Sequence, residues 1–460
     1  MKPDRQPGAQ TVARPASGSA RHRRRSFWRS RGLPLIRFTL IALVVLLVSG
    51  TVLASAFVNE FSARVAGNAV DISNGREAAG GSGGAAGDGL IPGPALGPID
   101  EFDGGFTVLM VGVDNASDQS AGYGSRGATL NDVNILLHVA EDQESAVVIS
   151  LPRDLVIPQP ACTDAESGAV SAAVSALPIN ASFGRGGLGC VVATVERLTG
   201  LSIPYAGVIS FEGTVAMADA VGGVPICLTE AIDDPYTGLN LPAGVSVVSG
   251  ETALAYLRSR HGVGDGSDLA RISSQQAYLS SLVRVLTSDA TLTDLPKLSG
   301  LATAAARNLR LSESLATVPT LVSMGLVLKE IDLDQLLFVQ YPTLPNPANP
   351  AKLVPDPVLA GQLVDKLDAD QTFTLAPESL GSSAALRPGS TGTATPAPAP
   401  TASGTPAPTL TPGASTTPTP APVPTGRATG DPGSPGEPEV LEGLRGQTAR
   451  QQTCSVAFGG

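Results

Sequence analysis

The segment DVNILLHVAEDQESAVVISLPRD, residues 132–154, contains two apolar runs that are separated by a short polar turn. The runs cover 132–139 and 145–151, and the turn between them reads EDQE. Runs of this length and composition are typical of buried β-strands, and so short a connection predicts an antiparallel hairpin. A third run, FTVLMVGV at 106–113, predicts a further buried strand that precedes the hairpin.

Helix-like periodicity alternates with shorter strand-like runs in the chain that follows this hairpin. It predicts helices at 188–198, at 251–258 and from Asp268 to about Ser288. In the last of these, apolar residues at helical spacing predict one buried face, formed by Leu269, Ile272, Leu279, Leu282, Val283 and Leu286. The mixture of strands and helices predicts an α/β or α+β sandwich around a central sheet.

Polar residues stand where the predicted strands begin and end. Asp114 follows the first strand, and Asp132 begins the second. Arg153 and Asp154 follow the third strand. If the first two strands are also antiparallel, all four side chains collect at one end of the sheet, where functional loops tend to gather. Two carboxylates there suit Mg²⁺, which prefers oxygen ligands and retains water. Asp is also common in turns, and position alone favours that plainer interpretation.

Three arginines, Arg258, Arg260 and Arg271, lie within 14 positions in LRSRHGVGDGSDLAR. Asp268, Arg271 and Gln275 have the spacing i, i+3, i+7 and form a polar stripe on the predicted helix, with Asp268 as its expected N-cap. Arg258 and Arg260 cannot share one face of a continuous helix, but a helix that ends there would direct both toward one site. Clustered guanidinium groups suit a pyrophosphate. A solvated helix face with an Asp–Arg pair is an equally good interpretation of the spacing.

Covalent catalysis has no support in the sequence, because no Ser/His/Asp or Cys/His arrangement is present. A GxxxxGK[ST] phosphate-binding loop is also absent from it. His138 lies within an apolar run and is interpreted as a core residue. The four cysteines lack zinc-site spacing and fit an oxidising compartment. They allow three pairings into two disulfides; we favour Cys162 with Cys190, which flank one loop region, and this leaves Cys227 with Cys454. Free buried thiols remain the alternative.

Charge is divided sharply along the chain. Residues 1–37 carry a net charge of +9 and the remainder carries −20, which together give the formal −11. This acidic balance argues against a general nucleic-acid-binding protein. Residues 38–58 contain no charge and are long enough to cross a hydrocarbon core of about 30 Å. The basic flank predicts a cytoplasmic N-terminus and an extracytoplasmic remainder, with a cleaved signal peptide as the alternative.

The rest of the chain divides by composition into four parts. A linker at 59–103 begins with helical character and becomes Gly-rich. The candidate catalytic domain covers 104–380. Residues 381–438 are dominated by Pro, Thr and Ala and are expected to be extended and disordered. A C-terminal segment at 439–460, which contains Cys454, regains apolar residues and can fold back onto the domain.

Short sequence blocks occur in an order that resembles one known family. They are GVD at 112–114, ND at 131–132, SLPRD at 150–154, INASFGRGG at 179–187, LTGLSIPY at 198–205, ADAVGGVPICL at 218–228, LPAG at 241–244 and ALAYLRSRHGVGDGSDLARISSQQ at 253–276. The series resembles the LytR-CpsA-Psr family, particularly its actinobacterial members. The order of the blocks is more specific than any one of them.

This resemblance implies an α/β/α sandwich with a mixed central β-sheet and a hydrophobic tunnel that holds a polyprenyl chain. It implies a membrane-anchored phosphotransferase that attaches a glycopolymer, such as a teichoic acid, capsule or arabinogalactan-like polymer, to peptidoglycan. The donor would be polyprenyl pyrophosphate that carries the glycan, and the product would be a phosphodiester.

The resemblance also implies roles for individual residues. Asp114 and Asp132 would hold Mg²⁺, with Mn²⁺ as a possible substitute. The pyrophosphate would be bound by Arg153, Arg258, Arg260 and Arg271, with Gln275 in support. Asp154 and Asp268 would orient the arginines, so that the catalytic group is Arg153, Asp154, Asp268 and Arg271. Such a site stabilises charge on the transferring phosphate and holds it in line with the attacking hydroxyl.

The chain departs from the family pattern at two positions. Leu130 stands where the family often has Arg, and Ser274 stands where a later Arg is expected. Both changes remove positive charge, and Arg126 is a candidate replacement for the first. Two other functions are compatible with the resemblance: hydrolysis of the lipid pyrophosphate, and a non-catalytic membrane regulator or transcriptional attenuator. An extracytoplasmic domain argues against direct gene control.

Overall fold

The computed structural model describes residues 59–73, 102–114, 129–388 and 438–459. The predicted basic segment at 1–37 and membrane span at 38–58 lie outside them, as do most of the linker and of the Pro/Thr-rich tail. Among the residues described, no helix combines the length and the apolar character needed to cross a bilayer. Residues 59–67 are helical (α1), which agrees with the helical character predicted for the start of the linker.

The central sheet has seven strands. In spatial order they are β13 (Leu309–Leu311), β8 (Tyr205–Ile209), β1 (Phe106–Val113), β2 (Asn131–Val139), β3 (Ala146–Leu151), β14 (Leu336–Gln340) and β20 (Arg445–Thr448). The pairs β1–β8 and β3–β14 are parallel, whereas the other neighbours are antiparallel. The sheet is therefore mixed, as predicted, and the predicted hairpin of β2 and β3 is confirmed.

Helices cover both faces of this sheet. Those that follow α1 in the described residues are α2 (Phe183–Thr199), α3 (Phe211–Val221), α4 (Gly250–Arg258), α5 (Asp268–Leu286), α6 (Asp289–Leu292), α7 (Leu295–Asn308), α8 (Val318–Glu330) and α9 (Pro357–Asp368). Apolar residues of α2 and α9 pack in the core on one face, around Leu136 and Val339. Residues of α5 and α8 pack in the core on the other face, around Val148 and Phe338.

A second sheet places the C-terminal segment against the domain. Its order is β12 (Gly244–Val248), β9 (Val224–Leu228), β21 (Thr453–Ser455) and β18 (Ala384–Leu386). The expectation that the C-terminal segment folds back is thus confirmed. The predicted start of the tail at 381 is too early, because β18 pairs within this sheet.

The described residues also form five two-stranded ladders. They are β4 (Val156–Gln159) with β7 (Val174–Pro178), β5 (Cys162–Thr163) with β6 (Val170–Ser171), β10 (Ile232–Asp234) with β11 (Leu239–Leu241), β15 (Thr343–Asn346) with β16 (Asn349–Pro355), and β17 (Phe373–Leu375) with β19 (Glu439–Leu441).

Helix α2 begins earlier than the predicted residue 188 because its first turn is separated from the rest by a bend. Gly186 and Gly187 have non-helical backbone angles inside the helix. A Cβ atom on Gly186 would lie 2.8 Å from the Cβ of Cys162 and 3.1 Å from the Cβ of Cys190. These cysteines form a disulfide. Glycine is therefore required where the disulfide passes close to the helix backbone.

Helix α5 differs from the amphipathic helix that its sequence predicts. Its polar residues Ser273, Ser274 and Gln276 are buried together with Ile272, so the prediction of a single buried face is wrong. The helix contacts β14 and β20 of the central sheet as well as β9, β18 and β21 of the second sheet, which leaves little of its surface to solvent. The periodicity of apolar residues in a sequence reveals a helix that has one buried, apolar face and one exposed, polar face. It does not reveal a helix that is packed on nearly all sides.

Both favoured disulfides are confirmed. Besides Cys162–Cys190, the structure contains Cys227–Cys454, which joins β9 to β21 across a sequence separation of 227 residues. The described residues contain no free cysteine.

We expect the double substitution Cys227→Ala, Cys454→Ala to lower the free energy of unfolding by about 2–4 kcal/mol. The loss arises because the bridge restricts the unfolded chain over a long loop and tethers β21 in the folded state. Equilibrium urea denaturation under oxidising conditions would measure it. The matched variant Cys162→Ala, Cys190→Ala removes a bridge that closes a loop of only 28 residues, so its free energy of unfolding should fall by less. Wild-type stability of the first variant would contradict this expectation.

Candidate functional site

A cavity of ≈ 340 Å³ lies between the central sheet and helices α3, α4, α5 and α7. Most of its lining is apolar and includes Ile135, Met217, Leu254, Leu279, Leu282 and Leu286. Its charged lining consists of Asp132, Arg153, Arg258, Arg260 and Arg271. These charged residues come from the start of β2, the end of β3, the end of α4 and the start of α5. One cavity thus combines a large apolar wall with a cluster of four arginines.

A β-bulge brings Asp132 to this cavity. Gly112 pairs with Val133 and Val113 pairs with Asn131, so Asp132 has no partner in the β1–β2 ladder. An extra residue of this kind changes the direction in which neighbouring side chains point. Asp132 and Val133 both line the cavity, although they are adjacent in sequence, whereas Asn131 is fully buried.

Asp114 lies at the same end of the ladder but has a different environment. Its side chain is 3% exposed and its Oδ1 accepts a hydrogen bond from the Leu130 amide at 2.9 Å. Its own amide donates to the Leu130 carbonyl. Asp114 is not part of the cavity lining. The antiparallel pairing thus places Asp114 and Asp132 at one end of the sheet, as predicted, but only Asp132 reaches the cavity.

Arg153 lies among three carboxylates. Its Nη1 donates to Asp132 Oδ1 at 2.9 Å, and its Nε lies 3.6 Å from Asp268 Oδ1 and 3.8 Å from Asp154 Oδ2. Burial lowers the pKa of the Arg153 guanidinium, but the charges of Asp132, Asp268 and Asp154 outweigh burial and raise that pKa above its ordinary value. The carboxylates therefore fix both the charge and the orientation of Arg153.

Asp268 and Arg271 form a buried pair at the beginning of α5. Arg271 Nη2 lies 2.7 Å from Asp268 Oδ1, and both side chains are 5% exposed. Arg271 Nη2 also donates to the backbone carbonyl of Asp132 at 2.8 Å, and Asp268 Oδ2 accepts from the Arg153 amide at 3.2 Å. The pair therefore connects α5 to the ends of β2 and β3. The predicted N-cap role of Asp268 is wrong, because Ser267 Oγ accepts the capping hydrogen bond.

The end of α4 directs two arginines toward the same cavity. Helix α4 ends at Arg258 and Ser259 has extended backbone angles, so Arg258 and Arg260 both line the cavity, as predicted. The Arg258 guanidinium carbon lies 4.4 Å from the ring centre of Phe211, a cation–π contact. Gln275 Nε2 donates to the Leu257 carbonyl at 2.9 Å and thereby joins α5 to α4.

Arg260 differs from Arg153 and Arg271 in its ion pairs. It makes no ion pair with any carboxylate of the described residues, and its buried Nε has no hydrogen-bond partner among them. Burial lowers the pKa of its guanidinium, and the positive charges of Arg153 and Arg271 lower it further, whereas Asp268 and Asp154 oppose this effect. A half-buried cation that lacks an ion pair is stabilised when an anion binds beside it. Arg260 therefore marks a position suited to an anionic ligand.

Lys352 is a residue of this site that the sequence did not reveal. It lies on β16, and its Nζ lies 2.5 Å from Asp154 Oδ1. The β15–β16 hairpin is held there by a bridge between Leu155 and Leu353 and by the hydrogen bond from the Leu353 amide to the Asp154 carbonyl. Lys352 lies almost 200 residues from Asp154 in sequence, and no motif marks it.

Asn131 is a second residue that sequence reasoning missed. Its Nδ2 donates to Asn134 Oδ1 at 2.7 Å and to the Ile179 carbonyl at 3.1 Å, and its Oδ1 accepts from the Phe183 amide at 3.0 Å. These bonds fix the strand immediately before Asp132 to the beginning of α2. An amide can make them because it both donates and accepts.

The two departures from the family pattern have different settings. Ser274 is fully buried in α5, where an arginine would need space and counter-charges that the packed helix does not offer. Leu130 occupies the position before the bulge and binds Asp114 through its backbone. Arg126, the candidate replacement, lies outside the described residues.

His138 is a packed residue, as interpreted from the sequence. Its Nδ1 is hydrogen-bonded to Thr107 Oγ1 at 3.0 Å, and its Nε2 lies 3.7 Å from Asp370 Oδ1. Burial lowers the pKa of the imidazole, although the charge of Asp370 opposes this. It lies at the opposite end of β2 from Asp132 and does not line the cavity.

The carboxylates of the site fit a weakly held divalent cation better than a fully protein-bound one. The described residues contain no group of three or more His, Cys, Asp or Glu side chains that could hold a metal. Asp132 already accepts a hydrogen bond from Arg153, and Asp114 accepts one from Leu130. Mg²⁺ is commonly held by one or two carboxylates together with water and the phosphates of a substrate. Asp132, which lines the cavity, fits that mode, whereas Asp114 is buried outside the cavity lining.

Comparison with known proteins places this site in a family. The model of the LytR_cpsA_psr family matches residues 93–346, more than half of the chain. The cell wall biosynthesis protein LcpA of Corynebacterium glutamicum is 34% identical over 239 residues, which are 46% of this chain and 45% of that protein. The probable cell wall biosynthesis protein LcpB of the same organism is 34% identical over 169 residues, 37% of each. The chain thus spans less than half the length of these two relatives.

More distant similarity extends to a named transferase and to a solved structure. The polyisoprenyl-teichoic acid–peptidoglycan teichoic acid transferase TagT of Bacillus subtilis is 24% identical over 256 residues, 53% of this chain and 72% of that protein. The LytR-Csp2A-Psr enzyme from Actinomyces oris has a TM-score of 0.44 and 23% identity, with coverage of 59% of this chain and 90% of that chain. From the family match over residues 93–346, which include the site up to Gln275, we conclude that this chain belongs to the LytR-CpsA-Psr family.

Proposed function

We propose that this chain transfers a glycopolymer from polyprenyl pyrophosphate to a hydroxyl group of peptidoglycan. The observation that carries the proposal is Arg260, a half-buried cation without a counter-ion, in a cavity whose remaining wall is largely apolar. An anionic group that is attached to a long apolar chain satisfies both features at once. A polyprenyl pyrophosphate has this chemistry, and TagT is named as a transferase of polyisoprenyl-linked teichoic acid to peptidoglycan.

The apolar part of the cavity is the proposed binding site for the lipid. Leucines of α4 and α5, together with Met217 of α3, would contact the prenyl chain. Burial of apolar surface contributes about 25 cal/mol per Å², so several isoprene units would bind strongly without any directional contact. This cavity is the candidate for the hydrophobic tunnel that the family resemblance implies.

The arginine cluster is the proposed binding site for the pyrophosphate. Arg260 would take the most direct part, because its guanidinium is not paired with a carboxylate of the described residues. Arg153 and Arg271 are held in place by Asp132 and Asp268 and would add charge without needing to reorient. Preorganised donors of this kind stabilise charge that develops during phosphoryl transfer. The acceptor hydroxyl would attack the phosphorus that carries the glycan, and polyprenyl phosphate would leave.

Mg²⁺ is proposed as the cofactor, held by Asp132 and by the substrate phosphates. Asp114, the second ligand that the family resemblance implies, is buried outside the cavity lining. When bound, the cation would neutralise phosphate charge and so favour attack by the hydroxyl. Mn²⁺ has similar ligand preferences and could replace it. Removal of divalent cations with EDTA should lower transfer, and added Mg²⁺ should restore it.

The setting proposed for this reaction is the outer face of the cell membrane. The uncharged run at 38–58 and its basic flank support a single membrane span with the domain outside. Two disulfides in the described residues agree with an oxidising compartment.

A product analysis tests the proposed function. The full chain is incubated with Mg²⁺, peptidoglycan and a polyprenyl pyrophosphate that carries a radiolabelled glycan. Label in the peptidoglycan, together with released polyprenyl phosphate, is the expected result. Release of free sugar phosphate without labelled peptidoglycan would instead identify a hydrolase and overturn the proposed transfer.

Substitution of Lys352 is expected to have a moderate effect on this activity. In Lys352→Met, Asp154 loses its nearest cation and competes for Arg153, which shifts that guanidinium away from Asp132. We expect kcat/KM to fall by about two- to fivefold, the range of a partly exposed ion pair. Lys352→Arg should retain wild-type kinetics, because it keeps the charge. Equal losses in both variants would contradict this role.

A further inference from the structure

Three exposed residues with flat rings lie in or beside the segment that follows Arg260. Tyr236 is 77% exposed and Phe458 is 57% exposed, and His261 is also an exposed residue. We call these three residues, Tyr236, His261 and Phe458, the aromatic rim. Exposed aromatic groups that gather in one place commonly mark a surface that binds something.

The first two rings of the aromatic rim stack on each other. Their centres are 4.3 Å apart, and their planes are inclined by 33°. Tyr236 lies in the turn between β10 and β11, and Ser259 Oγ donates to the buried Asp234 Oδ2 of β10 at 2.6 Å. Ser259 stands between Arg258 and Arg260. The turn that carries Tyr236 is therefore bound directly to the segment that supplies two arginines of the site.

Phe458 reaches the same segment from the C-terminal end of the chain. Its amide donates to the Gly262 carbonyl at 3.1 Å, and the preceding residues pair with the loop through a bridge from Ala457 to Val263. A Cβ atom on Gly266 would lie 3.1 Å from the Phe458 ring and 3.7 Å from the Arg260 carbonyl oxygen. Phe458 lies beyond residues 93–346, so it is an addition to the part of the chain that the family model matches.

Polar groups accompany these rings. Asp233 and Asn240 are paired across the β10–β11 ladder, and both are exposed. A pyranose ring has apolar faces of C–H groups and hydroxyl groups around its edge. Flat aromatic rings suit the faces, and a carboxylate and an amide suit the hydroxyls, since they offer several acceptors and donors. The combination therefore matches the chemistry of a sugar better than that of a purely apolar ligand.

We propose that the aromatic rim binds the sugar that is joined to the lipid pyrophosphate. This inference rests on the proposed function, because it takes the pyrophosphate to lie against Arg260. The glycan must leave the pyrophosphate on the side away from the apolar cavity, and the residues that follow Arg260 carry the rim. Stacking on Tyr236 and Phe458 would hold this sugar and so orient the phosphorus to which it is attached.

The test compares two probes that differ only in the sugar. One, the bare probe, is farnesyl pyrophosphate with a methyl ester on its terminal phosphate, and the other, the glycosylated probe, carries N-acetylglucosamine at the same oxygen, so that both have the same charge. Calorimetric titration of the full chain measures both affinities for wild type, Tyr236→Ala, Phe458→Ala and Tyr236→Phe. Leu326→Ala, which truncates a 52% exposed residue of α8, is the matched control.

We expect wild type to bind the glycosylated probe more tightly than the bare one. Tyr236→Ala and Phe458→Ala should each weaken the glycosylated probe by about three- to tenfold and leave the bare probe unchanged. Tyr236→Phe keeps the ring and should behave as wild type, as should Leu326→Ala. Circular dichroism of each variant checks that the fold is retained.

Three results would overturn this inference while leaving the proposed function in place. Equal affinity of wild type for both probes would remove the sugar subsite while leaving the pyrophosphate site intact. Equal losses for both probes in Tyr236→Ala would show that the residue acts on the fold or the pyrophosphate. Weakened binding to phosphatidylglycerol vesicles in Tyr236→Ala, with no change for the glycosylated probe, would identify a membrane contact instead. If wild type binds neither probe, the proposed function fails together with this inference.

Discussion

Replacement of Arg260 by alanine is expected to lower the rate of glycan transfer by about 10²–10³-fold without loss of stability. Arg260 has no ion pair within the described residues, so its removal breaks no internal contact of that kind. Burial lowers the pKa of its guanidinium, and the nearby cations of Arg153 and Arg271 lower that pKa further. Loss of this charge relieves repulsion in the free protein but removes the cation that is available to the pyrophosphate.

Two measurements on the same preparation check this expectation. The transfer rate should fall while the midpoint of thermal unfolding stays equal to or above that of wild type. Arg197→Ala removes an exposed arginine from α2, on the other face of the sheet, and should leave both quantities unchanged. Normal transfer by Arg260→Ala would remove Arg260 from the site, and a lowered midpoint would show that its main role is structural.

Unlike Arg260→Ala, the Arg271→Met substitution should cause a large loss of stability of the folded protein. Arg271 is 4% exposed and its partner Asp268 is 5% exposed. Removal of one member of a buried ion pair leaves the other charge without compensation and typically costs about 3–5 kcal/mol. Within the described residues, Asp268 then keeps the amide and the more distant guanidinium of Arg153 as direct contacts. Equilibrium denaturation measures the loss.

A double variant separates this structural effect from the chemical one. Asp268→Leu with Arg271→Met replaces both charges by apolar side chains of similar size, which is often neutral or stabilising. We expect the double variant to recover much of the stability and none of the transfer activity. A double variant that is as unstable as Arg271→Met would contradict the buried-pair account. Recovery of transfer would contradict a role for the pair in the reaction.

The central part of the fold was predictable because its strands are continuous apolar runs. The hairpin of 132–154 has a short polar turn, and that turn allows only antiparallel pairing of its two strands. The sequence could favour one pairing of the four cysteines but could not establish it, because Cys454 follows a long Pro/Thr-rich tract that gives no signal about its partner. The burial of α5 was not predictable, since the second sheet that covers it includes the C-terminal strand β21.

The candidate site was predictable in its residue types more than in its geometry. The end of β1, the start of β2 and the end of β3 meet because these strands are antiparallel; the sequence predicted this pairing for β2 and β3 and left that of β1 and β2 as a condition. The bulge that turns Asp132 into the cavity left no trace in the spacing of residues, because one unpaired residue changes the register without changing composition. Lys352 was missed for a different reason: only the tertiary fold brings β16 beside Asp154.

The ion pairs of the site indicate that Arg260 has a different role from Arg153 and Arg271. Arg153 and Arg271 are bound by carboxylates and are buried or nearly so, which makes them rigid but partly neutralised. Arg260 keeps its full charge for a ligand. A site built this way can hold a dianionic group without an unpaired cluster of cations destabilising the free protein.

Photoaffinity labelling tests most directly whether one molecule occupies both the apolar cavity and the arginine cluster. The probe is a prenyl pyrophosphate with a photoreactive group at the end of its chain, added to the full protein and mapped by mass spectrometry. The account predicts crosslinks to cavity residues such as Met217, Leu254 and Leu286, with loss of labelling in Arg260→Ala. Crosslinks confined to other surfaces, or undiminished cavity labelling in Arg260→Ala, would contradict it.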